Sequence, residues 1–213
     1  TLCLAHAYRR SGMPAAVGLI VLRVPIISVL FERGKFDAEA TLFTSQVLGY
    51  YAVGLLPFAG VNILAAAFYA HQDTRTPVKI AALTFFVHLA LNFYLRIPLL
   101  AGGIALSTSL SAILDMVLLF FLFSRKWGPL WDSHLGRSLW VTSAASLVMG
   151  GVAALMLRLP SLQSSTSILT RVAALSLAIG VAGGAFFLVA WILGSREVKE
   201  VLALFPFRRG GKA

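Results

Sequence analysis

His88 and Asn92 stand four residues apart in one apolar stretch, so on a helix they share a face. Thr108, with Ser107 beside it, lies in the next apolar stretch after a short connection. Two helices joined in that way are antiparallel neighbours. An imidazole nitrogen, an amide oxygen, a hydroxyl and a backbone carbonyl could together hold a small cation. The same groups could equally form an interhelical hydrogen-bond cluster. None of them brings a carboxylate, which weakens the cation reading, and no firm metal site follows. Asp115 lies half-way along the same stretch as Thr108. It could relay a proton or a cation, or be a buried acid paired with a neighbouring helix, with Arg23 as one candidate partner. Arg23 itself is near the middle of the first apolar stretch. A charge at that depth is costly unless it faces water or a partner. Either it is a cavity-facing contact for an anionic substrate, or it snorkels or pairs structurally.

The polar breaks add two motifs. HQDTRTPVK, residues 71–79, places Pro77 to open a helix at its first turn and Thr76 as its N-cap. Asp73 and Arg75 could pair across the turn, an exposed pair of little energetic weight. With Thr74 and Lys79 they make either a gate element or a plain connector. FERGKFD, residues 31–37, mixes Glu32, Arg33 and Lys35 around Gly34, which suits a positive φ, and sets Glu32 or Asp37 near a helix end. Spacings for zinc sites, phosphate-binding loops and nucleotide-binding glycine motifs are absent. Cys3 is the one cysteine, so no disulfide closes within the chain. The polar distribution suits part of a transporter better than an enzyme, and no catalytic residue is assigned.

The elements that must position these groups follow from composition. Of 213 residues 59% are hydrophobic and only 12% charged, against about 25% in soluble domains. A surface with so few charges belongs in a bilayer, with membrane lipids as partners. The net charge of +10 sits singly or in pairs between apolar runs, which is a loop pattern at a membrane face and not a nucleic-acid footprint. The fold class is therefore all-α and polytopic, with six spans at about 13–31, within 38–70, 78–95, 103–123, 138–157 and 168–193. Pro57 is expected to kink the second, and 96–102 to form a loop. Gly150 with Gly151, and Gly180 with Gly184, invite close helix packing. The N-terminus, the second and fourth loops and the tail hold twelve Lys and Arg, the other side five, so both termini should be cytoplasmic.

Three segments carry a more specific resemblance: PAAVGL at 14–19 leading to LFERGKFD at 30–37, GLLPF at 54–58 leading to FYAHQDTRTPVK at 68–79, and GIALSTS at 103–109. In this order and spacing they resemble the MurJ/MviN lipid II flippase family, closely over 13–123. The family has fourteen spans, belongs to the multidrug/oligosaccharidyl-lipid/polysaccharide exporter superfamily, and moves undecaprenyl-linked peptidoglycan precursor across the bacterial inner membrane. The resemblance implies that these six spans are its last six, with the N-terminal lobe outside this chain. It divides the chain into four lobe spans (1–124), a cytoplasmic loop (125–136), two spans that could groove the lipid tail (137–194) and a basic cytoplasmic tail (195–213). It implies lipid II as substrate, alternating access as mechanism, and no cofactor. Some members have a sodium site in the third and fourth spans counted here, where His88, Asn92 and Thr108 stand, so sodium or proton coupling stays open. The competing readings are export of another polyprenyl-linked oligosaccharide or a drug, and an inactive fragment or membrane scaffold.

Overall fold

A computed structural model of the chain describes residues 2–32, 36–128, 133–158 and 168–192. Among the described residues the regular structure is six helices: α1 (Leu2–Phe31), α2 (Ala38–Ala70), α3 (Arg75–Leu99), α4 (Ala101–Trp127), α5 (Ser133–Leu157) and α6 (Ile168–Ile192). All six contain a segment long and apolar enough to cross a membrane. In hydrocarbon each backbone donor needs an intrahelical acceptor, so these segments form helices despite β-branched and glycine residues.

The ends show how the sequence starts and stops them. The Asp37 carboxylate accepts from the amide of Ala40 at 2.9 Å, capping α2. α2 then stays helical for 33 residues, through Pro57. At the next turn Asp73, not Thr76, supplies the cap of α3. Its carboxylate accepts from the Thr76 amide at 3.1 Å and from the Thr76 hydroxyl at 2.6 Å. Pro77 falls in the first turn and is buried. The expected loop at 96–102 shrinks to one residue. α3 continues through Arg96 and Pro98, and Leu100 alone reverses the chain with φ 51° and ψ −126°. Gly103 makes the reversal feasible, because a Cβ there would collide with the Leu95 carbonyl.

Two packing centres follow. α4 lies against α2 and α3, while α1 joins α2 to α5 and α6. Phe68, Ile80, Leu119 and Phe123 form the core of the first group. Leu22, Met149, Ala153 and Ala182 form that of the second. Between α2 and α4 the backbones come close. Ser109 fills the notch at Gly54 and donates to the Tyr50 carbonyl at 2.6 Å. Gly150 likewise accommodates Val17 of α1. Gly151, Gly180 and Gly184 do not pack as expected: a Cβ on any of them would meet nothing within 4 Å among the described residues.

Candidate functional site: a polar cavity among three membrane helices

α2, α3 and α4 line an open cavity of about 330 Å³. α2 contributes Phe58 and Val61, α3 contributes Thr84 and His88, and α4 contributes Thr108, Ser111 and Asp115. Spacing explains the convergence. Thr84 and His88 are one turn apart, as are Ser111 and Asp115, so each pair faces the same way. Thr84 and Thr108 donate to the carbonyls of Ile80 and Ile104 at 3.0 and 2.9 Å. The Ser111 hydroxyl lies 2.6 Å from the Ser107 carbonyl and 3.0 Å from His88 Nδ1. Ser107 itself is buried and bonded to Ile104. Asp115 Oδ1 is buried with no hydrogen-bond partner among the described residues.

Of the sequence-derived cluster, His88, Thr108 and Asp115 come together, which supplies the carboxylate missing from the first three residues. Asn92 is not in the lining. It lies one turn beyond His88, its Oδ1 buried without a partner among the described residues. The suggested pairing of Asp115 with Arg23 is not made. α1 packs on α2, α5 and α6, and the Arg23 guanidinium fills the space beside Gly49 of α2. Among the described residues no carboxylate pairs with Arg23. Ser111 and Thr84 were missed. Their four-residue spacing from Asp115 and His88 is the signal that could have found them.

The turn motif is also placed differently from its expectation. Asp73 pairs with Lys126, at the end of α4, at 2.5 Å, and not with Arg75. Lys126 also donates to the Thr76 hydroxyl at 2.9 Å. The Lys126 ammonium, and after it the Thr76 hydroxyl, hold the Asp73 carboxyl well below the usual carboxylate range. His71 stacks on Trp127 with centroids 4.6 Å apart, so the turn is pinned to α4 on two sides. Thr74, Arg75 and Lys79 are exposed there. At the opposite end of α1, Glu32 accepts from Ser28 and faces Arg171 of α6 at 3.9 Å. Arg33 and Gly34 lie outside the described residues, as does the basic tail 195–213.

Six helices long and apolar enough to cross a membrane, with an acid, an imidazole and a guanidinium set within them, define a multi-pass helical membrane protein. Comparison with known proteins makes the class particular. The family model for lipid II flippase MurJ matches residues 11–175, and the chain belongs to that family. It is 35% identical over 188 residues to a probable lipid II flippase MurJ of Rhizobium tropici, covering 87% of this chain and 35% of the relative. With the corresponding protein of Rhizobium meliloti (strain 1021) it shares 31% over 198 residues, covering 89% and 36%. A solved structure of lipid II flippase MurJ in an inward closed conformation superimposes with a TM-score of 0.68 at 25% identity, over 93% of this chain and 39% of that one. The chain thus spans about a third of the length of these relatives.

Proposed function

We propose that this chain is part of a lipid II flippase, moving undecaprenyl-linked peptidoglycan precursor from the cytoplasmic to the outer leaflet by alternating access, in the bacterial inner membrane. The observation that carries this reading is the continuous family match over 11–175, which takes in α2 to α5 whole. The physics of the cargo agrees with it. A diphosphate and sugars cannot enter hydrocarbon unaided, so they need a polar path between helical lobes, while the tail stays in lipid or in a groove. Arg23, cationic in mid-span and with no paired carboxylate among the described residues, is the residue proposed to meet the anionic head group. The N-terminal lobe would close the path from the other side, and both termini would face the cytoplasm, as the charge count suggests.

The pinned turn at 71–74 refines the gate idea. Because Asp73 and His71 tie it to α4, it would move with this lobe as one body. The test is replacement in a bacterium whose own lipid II flippase is depleted. The complete protein should restore growth and cell shape. Arg23→Ala should fail to do so at equal membrane abundance, and full rescue by Arg23→Ala would reject the head-group role.

A further inference from the structure

α1 and α6 meet at one level and part toward one end. Leu22 of α1 and Ala182 of α6 are buried together in the second packing centre. From there α1 presents Pro25, Ser28 and then Glu32 just past its last turn, and α6 presents Ala178, Ala174 and Arg171. Steps of three and four residues keep each set on one helix face. With Leu157 of α5 the two faces line an open cleft of about 260 Å³. The cleft exists because Ala174 and Ala178 are too small to fill it, and because α1 packs mainly on α2 and α5 and only lightly on α6. At its mouth stands the Glu32 carboxylate. Oε2 accepts from the Ser28 hydroxyl one turn back, which anchors the acid to α1. Oε1 points across the cleft to Arg171 Nη1 at 3.9 Å, an ion pair beyond hydrogen-bond distance.

We propose that the Glu32–Arg171 pair is a latch that sets the width of this cleft. Made, it holds the start of α6 against the end of α1. Broken, it lets the start of α6 swing away, with the packed level of Leu22 and Ala182 as the pivot, and the apolar walls of the cleft become accessible. The geometry suits a contact that opens and closes. The side chains of Arg171 and Glu32 are 40% and 31% exposed, so water and salt screen their attraction. A single screened pair biases an equilibrium by about fivefold at most. A permanent tie between two helices would bury its charges or pair them at hydrogen-bond distance. Behind the mouth there is little to oppose opening, because the small side chains of Ala174 and Ala178 give up few contacts when the walls part. The anchor on Ser28 keeps the carboxylate in place while the cleft is open, ready for Arg171 to return. The latch stands on packing and charge, and does not depend on the function proposed above.

The experiment measures how fast a maleimide reacts with a single cysteine in the cleft, introduced as Ala174→Cys into the complete, otherwise cysteine-free protein in lipid nanodiscs. Glu32→Gln should raise the rate about two- to fivefold. Arg171→Gln added to Glu32→Gln should raise it by less than Arg171→Gln does alone, the mark of a direct pair. Raising the salt should speed the reaction when Glu32 is present and leave the rate in Glu32→Gln unchanged. A cysteine at Thr108, in the α2–α3–α4 cavity, should react at one rate throughout. An unchanged rate at position 174 in Glu32→Gln, additive effects of the two substitutions, or a parallel rise at position 108, which would mean general loosening of the bundle, would each overturn the proposal. Should Ala174→Cys fail to fold, Leu175→Cys in the same wall takes its place with the same expectations.

Discussion

Position 49 is glycine because Arg23 needs the room: a Cβ there would fall on the end of its guanidinium. That end is flexible, so Gly49→Ala should leave thermal unfolding nearly unchanged while displacing Arg23. Measured as the modification rate of Arg23 by an arginine-selective dicarbonyl reagent, the displacement should appear as a changed rate, and an unchanged rate would contradict the packing. Asp73 gives a pH prediction. Its carboxyl is held below the usual range, so the stabilisation is present above the unfolded carboxylate value and is lost only as pH falls through the lower folded value. The link between the turn and α4 should survive at about pH 4, where ordinary carboxylates are half protonated. A cysteine pair across it, monitored by crosslinking rate, reads this directly, and Asp73→Ala should abolish the pH dependence. At this scale the sequence announced the residue types but not their partners. Asp115 and Arg23 were visible as charges in apolar runs, yet only the helix order shows that α1 does not pack on α4. Lys126 lies 53 residues from Asp73, beyond the reach of local spacing.

Spans are legible at the scale of elements because hydrocarbon thickness sets their length. The turn between α3 and α4 was not. Arg96, Pro98 and Gly102 read as a loop, but a proline near a helix end and a single reversed residue suffice. Leu100 holds a positive φ that a branched side chain rarely adopts, and it is exposed, so Leu100→Gly should stabilise the chain by about 1 kcal/mol. Thermal unfolding in detergent measures it. Glycine signals were half informative, since a small residue shows where packing could be close but not where it is. Gly54→Ala would set a Cβ 3.0 Å from the Ser109 Cα, a backbone atom that cannot swing aside. It should cost about 1–3 kcal/mol, as overpacking does. Gly151→Ala meets nothing within 4 Å and should be neutral or slightly stabilising. Equal effects at the two positions would contradict the α2–α4 seam.

The whole molecule is two packing centres joined by α1 and α2, which neither hydropathy nor spacing reveals, because both centres use the same aliphatic residues. What the sequence did make legible at this scale is membership of a family, through motifs at 30–37 and 68–79 whose Asp37 and Asp73 cap helices and whose Phe68 sits in the first packing centre. The site's chemistry sits apart from those motifs, on faces inside the bundle. The central claim is that this bundle is one side of a path for lipid II, with Arg23 at its anionic head group. It is tested most directly by measuring lipid II translocation in proteoliposomes holding the complete protein. Translocation above that of protein-free vesicles is the predicted result, falling at least about tenfold in Arg23→Ala, as expected when a hydrogen bond to a charged group is lost. No translocation by the intact, folded protein would contradict the account.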